Sequence, residues 1–380
     1  MSNNSLTPEQ IERMEKIEAL MKKQKFMSQQ MEISFLESDI CSLSSGYFDG
    51  SLDFAKAETL YNELHKKCMD FFKKDPIQMT NIIVKLNVDF AEICINEFMS
   101  DAAKNILDKS QTLIENSLDN YGGDYDIGYA KIKMAMGKLF AFTNVLTEAE
   151  TYYTEAANRF KVICNSDSLY ASDYAQSNIE LAEVELAMDK PENAIVCLNN
   201  ARPYCFKVVD GKKFIITPYL ARIENNLSDI YLDKNDYANA EKHLLEEVSL
   251  NKEIIRFMRS DANDCTSTLY GHLTKSLEKL AEVYIKLNNP QKALQYLKEV
   301  LPLQEKLFAI NDDDNIVVLA LVHHNFALAY EMLGNNDAAQ KEFFKVVPLL
   351  EAGKNRMELY DLKYSFRDGF YYNLSKQTNL

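Results

Sequence analysis

The chain reads Leu280-Ala281-Glu282-Val283-Tyr284, and Ala293 and Leu297 follow twelve and sixteen residues after Ala281. Small, aromatic and large apolar residues at these spacings fall on the facing sides of two consecutive helices. Asn288-Asn289-Pro290 lies between the two segments and supplies a turn. The stretch therefore predicts a helical hairpin whose small residues let two backbones approach closely.

The same pattern recurs seven times, with a period close to 46 residues. The small residues are Ser45, Ala91, Gly137, Ala182, Ser228, Ala281 and Ala327. Twelve residues after each of them comes an alanine, at Ala57, Ala103, Ala149, Ala194, Ala240, Ala293 and Ala339. Stacked hairpins bury their apolar faces only against neighbouring hairpins. The repeat therefore predicts an all-α solenoid of about seven hairpins.

Composition limits the classes of partner. The chain has 380 residues, 47% of them apolar, a net charge of −15 and a pI near 4.9. A strongly acidic protein is not expected to bind nucleic acid, because phosphates require clustered Lys and Arg. The sequence has no apolar run long enough to span a membrane and starts with a polar segment, Met1-Ser2-Asn3-Asn4-Ser5, rather than a signal peptide. Seven scattered cysteines without a C-x-x-C pair predict reduced thiols and a cytoplasmic location.

Patterns typical of catalytic and metal sites are missing from the sequence. His323 and His324 are adjacent, so on a helix they point about 100° apart and cannot share a metal from one side. The sequence contains neither H-E-x-x-H nor a Gly-rich phosphate loop, and Asp312-Asp313-Asp314 lacks the closing Glu of a calcium loop. We therefore predict no catalytic residues, no metal and no cofactor. An enzyme with an unrecognised polar pocket remains a third class of function.

These residues resemble the tetratricopeptide repeat, whose pattern Leu-Gly/Ala-x-x-Tyr is followed by Ala and a bulky residue. Residues 280–297 and Phe326-Ala327, with Tyr330, Ala339 and Phe343, match that pattern. The period is longer than the usual ~34 residues and the chain has no Trp. Lengthened units of this kind are similar to kinesin-light-chain repeats, whose signature Leu-Asn-Asn-Leu-Ala-x-x-Tyr is approached by residues 224–231 and by 324–327. The resemblance implies a right-handed superhelix that binds protein or peptide.

The resemblance also implies which residues face the ligand, because the concave groove of such proteins is lined by positions six and two before the small residue. The positions six before are Asp39, Lys85, Lys131, Gln176, Arg222, Lys275 and Leu321. The positions two before are Leu43, Asp89, Ala135, Glu180, Asn226, Lys279 and Asn325. With the two signature matches added, the predicted peptide-binding residues are Arg222, Asn225, Asn226, Lys275, Lys279, His324 and Asn325.

Asn can donate to and accept from a peptide backbone, and Lys favours acidic side chains. The sequence therefore predicts an extended acidic ligand. The alternative is that these are ordinary solvated positions, since Glu278 and Glu282 lie among the lysines. The carboxylate clamp of chaperone-binding repeats is not expected, because Ile179 and Glu183 stand where its Lys and Asn would be.

The sequence predicts three segments and leaves two main functions open. Residues 1–30 are predicted to form a capping helix, 31–350 the repeat array, and 351–380 an aromatic segment that covers the last hairpin. Residues 8–36 could instead begin a coiled coil. The predicted function is a non-catalytic adaptor or scaffold for a protein or peptide partner. The alternative is a peptide-sensing regulator resembling Rap-type quorum-sensing proteins.

Overall fold

A computed structural model describes residues 8–209, 212–258, 266–310 and 312–353. Seven successive pairs of helices occupy this part of the chain. The first helices are α1 (Pro8–Phe48), α3 (Pro76–Asn96), α5 (Asp126–Phe142), α7 (Ala171–Ala187), α9 (Thr217–Asp233), α11 (Thr266–Lys286) and α13 (Asp312–Met332). The second helices are α2 (Phe54–Phe72), α4 (Ser100–Tyr121), α6 (Leu146–Ser166), α8 (Pro191–Ala201), α10 (Tyr237–Met258), α12 (Pro290–Ile310) and α14 (Asn336–Gly353). The predicted all-α repeat class is confirmed.

The chain divides into two compact units, Met1–Met188 (unit 1) and Asp189–Leu380 (unit 2). The division falls in the turn between α7 and α8, inside the predicted array. Unit 1 has a core that runs from α1 to α5, with Leu64 and Leu107 among its fully buried side chains. Unit 2 has a core of its own, which α10 to α13 build around residues such as Leu277 and Leu297.

Helix starts follow local sequence signals. The Asp53 side chain accepts a hydrogen bond from the Lys56 backbone N–H at 2.9 Å and caps α2. Asp75 caps α3 in the same way, and Pro76 takes the first position of that helix, where no amide proton is needed. Pro191 and Pro290 begin α8 and α12.

The predicted close contacts between paired helices are present in the six pairs that lie within one unit. Every alanine of the repeat is buried, and so are six of the seven small residues. The exception is Ser45, which is exposed and donates its hydroxyl to the Cys41 carbonyl. The neighbouring Gly46 is buried instead, and a Cβ added there would lie 2.8 Å from Leu52 Cδ1. The register predicted for the first repeat is therefore wrong by one residue.

Aromatic rings fill the space beside these contacts. One ring lies on the first helix, three residues after the small residue, and the other lies on the second helix, three residues after the alanine. The two rings stack in three of the pairs. The stacked pairs are Phe140 with Tyr152 at 5.3 Å, Tyr231 with His243 at 5.3 Å, and Tyr284 with Tyr296 at 5.5 Å between ring centres. Stacks of this kind add to the stability that burial alone provides.

The six turns between paired helices from α3–α4 onward share one backbone conformation, the left-handed region. It falls on the residue seven positions after the small residue, at Phe98, Asn144, Asp189, Asn235, Asn288 and Gly334, with φ between 56° and 71°. The following amide closes the helix end by bonding back five residues, as Met99 N–H does to the Cys94 carbonyl at 2.8 Å. Asn, Asp and Gly suit this conformation, and a bulky aromatic residue such as Phe98 does not.

Two short strands lie between α8 and α9. The strands β1 (Phe206–Val209) and β2 (Lys212–Ile215) pair antiparallel, with Phe206 opposite Ile215 and Val209 opposite Lys212. Phe214 and Ile215 are exposed. The sequence analysis did not predict this hairpin.

The structure describes the N-terminal end of the predicted array but not the segment predicted to cover its C-terminal end. Helix α1 continues without a break through the predicted boundary at residue 30, and its second half supplies Ile33, Leu36, Ile40 and Leu43 to the core of unit 1. The capping role of residues 1–30 stays a prediction. Residues 354–380, which make up most of the predicted aromatic cap, lie outside the described residues, and so does the polar stretch 259–265.

We expect Gly137→Ala to destabilise the protein by about 1–3 kcal/mol, because a core with no spare room must shift to admit an added methyl group. A Cβ at Gly137 would lie 2.7 Å from the ring of Tyr153, which is 1% exposed. The control is Gly271→Ala, in a helix where the added Cβ meets nothing within 4 Å. That variant should be more stable by about 0.5–1 kcal/mol. Urea unfolding followed by circular dichroism measures both, and an unchanged Gly137→Ala midpoint would contradict the packing described.

We expect Phe98→Asn to stabilise the protein by about 0.5–1 kcal/mol, because Asn adopts the left-handed conformation more readily than Phe. The reverse change at the equivalent turn position, Asn144→Phe, should destabilise it by a similar amount. Thermal unfolding of the two variants side by side tests the prediction. A loss of stability in Phe98→Asn would show that the Phe98 ring makes a structural contribution larger than the strain.

Candidate functional site

The predicted peptide-binding residues all lie on first helices of unit 2. Arg222, Asn225 and Asn226 are on α9, Lys275 and Lys279 on α11, and His324 and Asn325 on α13. We call the surface formed by these three helices the first-helix face. Helices α11 and α13 contact each other directly, so side chains on one can reach the other.

Lys279 ties α11 to α9. Its Nζ donates to the Asp229 carboxylate and, at 3.2 Å, to Asn225 Oδ1. The side chain is only 13% exposed, so the ammonium group is partly removed from water. The amide nitrogen of Asn225 donates to Asn226 Oδ1 at 3.4 Å, which fixes the orientation of both side chains. Lys279 therefore holds two helices together in addition to placing a charge on the face.

Asn325 ties α13 to α11. Its Nδ2 donates to Glu278 Oε1 at 2.8 Å, and both residues are buried. Burial raises the pKa of Glu278 to about 8, with the charge of Glu282 acting in the same direction and Lys279 and Lys275 opposing it. A neutral Glu278 accepts the Asn325 hydrogen bond without the cost of a buried charge.

A second buried carboxyl group lies between α10 and α11. Glu247 Oε1 accepts a hydrogen bond from Ser276 Oγ at 2.7 Å, and Asn251 Nδ2 donates to the same hydroxyl at 3.0 Å. The other oxygen, Glu247 Oε2, is buried and has no hydrogen-bond partner among the described residues. Burial raises the pKa of Glu247 to about 7.

The remaining predicted residues differ in their access to a ligand. Lys275 is exposed, and Arg222 is half-buried. Asn226 and His324 are 9% and 5% exposed. His324 packs edge-on against Phe343, and burial lowers the pKa of its imidazole to about 4, so it is neutral at physiological pH. Lys275 is therefore the predicted residue that a ligand reaches most directly.

One buried polar network in unit 2 was not foreseen. Glu224 is 1% exposed, pairs with Arg202 and accepts a hydrogen bond from His243 Nδ1 across 2.7 Å. The His243 ring stacks on Tyr231. Glu224 stands where the kinesin-light-chain signature has Leu, and its partners come from the segment after α8 and from α10. The network joins three consecutive segments of unit 2, which gives it a structural role.

Further site types are not seen in the described part of the chain. No three His, Cys, Asp or Glu side chains in it are grouped so that they could hold a metal ion. No helix among the described residues is both long enough and apolar enough to cross a membrane. The described cysteines form no disulfide, and all of them except Cys41 are buried.

Comparison with known families identifies the repeats. Tetratricopeptide-repeat family models match residues 221–253 and 273–314. The first match covers most of α9 and of α10, and the second covers most of α11 and all of α12. Helices α9 and α11 carry most of the predicted residues of the first-helix face. The matched residues of the chain are tetratricopeptide repeats, as the sequence predicts. Repeats of this class bind other proteins, so the coarse function of the chain is protein interaction.

Solved structures with the same kind of fold have low sequence identity to the chain. BtubC (BKLC) from P. vanneervenii is 16% identical, with 72% of this chain and 92% of that chain covered and a TM-score of 0.50. Nro1, described as a hypoxic regulator of sterol synthesis and a nuclear import adaptor, is 14% identical over 79% and 96%, with a TM-score of 0.50. The quorum sensor NprR from B. thuringiensis is 14% identical over 88% and 94%, with a TM-score of 0.47. No curated protein sequence matches the chain.

We expect unit 2 to lose stability as the pH rises from about 5 to about 8. The folded state keeps a proton on Glu278, whose pKa rises from 4.5 to about 8, whereas the unfolded chain has already lost that proton. The isosteric Glu278→Gln variant should be more stable at pH 8 by on the order of 1–2 kcal/mol and should depend less on pH.

The matched control is Glu246→Gln, because Glu246 is an exposed residue of α10. Urea unfolding at pH 5, 6.5 and 8 gives the required free energies. If Glu278→Gln and the wild type show the same pH dependence, the buried carboxyl group is not protonated in the folded protein.

Proposed function

We propose that unit 2 binds an extended acidic segment of a partner protein on its first-helix face, and that the chain acts as a non-catalytic adaptor or scaffold. Lys275 carries the proposal, because it is an exposed cation on the central helix of that face. Lys279 lies four residues later, on the same side of α11. A ligand carboxylate at Lys275 would lie beside this second ammonium group.

The carboxyl groups next to these lysines favour an acidic ligand for an electrostatic reason. Burial raises the pKa of Glu247, Glu278 and Glu282, so these groups carry less negative charge near neutral pH than their number suggests. The charge of Lys275 is correspondingly less compensated, whereas that of Lys279 is paired with Asp229. In a chain with a net charge of −15, such a face would orient an acidic ligand toward itself and away from the remaining surface.

We assign the predicted site residues three different roles in this proposal. Lys275 and the half-buried Arg222 would contact the ligand. Lys279, with its partner Asn225, and Asn325 would keep the three helices at the spacing that the ligand requires, through the hydrogen bonds to α9 and α11. Asn226 and His324 would support the face from beneath, because they are almost fully buried.

The proposal includes a cellular compartment. Buried thiols without disulfides, as in the described cysteines, are typical of a reducing compartment. We therefore propose a cytoplasmic adaptor that requires no cofactor.

Fluorescence anisotropy with labelled twelve-residue peptides tests the proposed site. One peptide contains only Gly, Ser, Asp and Glu, and its counterpart has Lys at each acidic position. We expect the acidic peptide to bind, and Lys275→Glu to weaken it about five- to tenfold at low salt and less at high salt, because exposed charges are screened.

The control is Lys298→Glu, which makes the same charge change on the exposed surface of the second helix α12. An equal loss in both variants would show a general effect of net charge rather than a site. Stronger binding of the Lys peptide would contradict the proposed ligand chemistry.

A further inference from the structure

Phe98 is an aromatic residue in a strained and solvent-exposed turn. Its φ is 61°, the conformation that Asn144, Asn235 and Asn288 adopt at the equivalent position of other repeats. Its side chain is 81% exposed, so burial of the ring does not offset the strain. Strained residues that folding does not require often belong to binding sites. Asn would satisfy the turn better, so the turn itself gives no reason for Phe.

Phe98 does not stand alone. Its ring lies 5.3 Å from that of Phe142, which is 42% exposed, and Met99 and Val145 next to the two turns are 39% and 37% exposed. Phe48, at the end of α1, is 52% exposed. We call these five residues the turn-edge patch.

Two contacts connect Phe48 to the rest of the turn-edge patch within unit 1. The hydroxyl of Tyr47, the residue before Phe48, donates to Glu97 Oε1 at 2.5 Å, and Glu97 directly precedes Phe98. Lys138 of α5 places its Nζ 5.9 Å from the centre of the Phe48 ring. The ends of α1, α3 and α5 therefore lie together and present their apolar side chains to solvent on one edge of unit 1.

Exposed residues next to those of the turn-edge patch in sequence are largely acidic, and we call them its rim. Lys138 is compensated by Glu92, whose Oε2 lies 2.9 Å from the lysine Nζ. Exposed carboxylates close in sequence to the patch are Asp49, Glu97, Asp101 and Glu148. Hydrogen bonds from Ser51 lower the pKa of Asp49. A ligand that covers the patch therefore meets an excess of negative charge.

We infer that the turn-edge patch is a docking surface for a basic, amphipathic segment of a partner protein. Apolar side chains of that segment would cover Phe98 and Phe142, and its Lys or Arg residues would face the acidic rim. Aromatic anchors surrounded by polar groups are typical of the residues that dominate binding energy at interfaces. The acidic rim disfavours a second copy of this chain, whose rim has the same charge, and it disfavours anionic lipid. This surface lies in unit 1 and does not depend on the proposed ligand face of unit 2.

The test uses the full chain and a fluorescein-labelled eighteen-residue amphipathic peptide of Leu and Lys, at physiological salt. We expect Phe98→Asn to weaken this peptide about tenfold, the loss usual for an aromatic anchor, while the variant is at least as stable as the wild type. The matched control is Phe344→Asn, the same change at a 68% exposed residue of α14. It should leave the affinity unchanged, and a Leu and Glu peptide of the same length should not bind.

Several results would overturn the inference. These are an undiminished affinity in Phe98→Asn, an equal loss in Phe344→Asn, equal binding of the Leu and Glu peptide, or no binding of the Leu and Lys peptide to the wild type. Light scattering of the wild type and Phe98→Asn tests whether a second copy of this chain covers the patch instead. A dimer that Phe98→Asn abolishes would assign the turn-edge patch to self-association and would also reject the basic partner.

Discussion

Close approach of two helix backbones at a small residue is the constraint on which this structure depends. Where Gly137 meets the ring of Tyr153, no room exists even for a methyl group, and buried alanines on the second helices accompany close contacts in the other pairs within each unit. The contact fixes the distance between paired helices, and the rings three residues further along can then stack. Because the pairs within a unit repeat the contact, the positions of neighbouring first helices in that unit follow from it.

Regular spacing of first helices explains the polar chemistry of unit 2. Side chains that face an adjacent first helix are removed from water, so polar groups there must find partners in the protein. Lys279 meets Asp229 and Asn225 of α9, and Asn325 meets Glu278 of α11. Burial raises the pKa of Glu278 and favours its protonated form. The stability of the face therefore falls as the pH rises, the opposite of the effect of a carboxylate whose pKa is lowered by an ion pair.

The sequence predicts the repeat and its helices well, because the spacing of small residues is a property of local packing. It places the first repeat wrongly by one residue, since Ser45 and Gly46 are both small and only burial distinguishes them. The β-hairpin carried a recognisable signal that was missed, namely Asp-Gly between segments 206–209 and 212–215, each of which contains Phe and a β-branched residue. For the site, spacing predicts which helices carry the polar residues. It does not predict that Lys279 and Asn325 are engaged by the next helix, because that depends on residues about fifty positions away.

An adaptor needs two surfaces that select different partners, and the two proposed surfaces of this chain differ in chemistry. The first-helix face of unit 2 presents Lys275 among carboxyl groups whose charge is reduced by burial. The turn-edge patch of unit 1 presents exposed Phe98 and Phe142 within a rim of carboxylates. A segment suited to one surface has the wrong charge for the other, so competition between partners is suppressed by repulsion as well as by fit. Phe98 belongs to that second surface and occupies a turn position that Asn, Asp or Gly would suit better. Its exposed ring brings no gain in packing, and a residue that breaks a local preference without such a gain is expected where function constrains the choice.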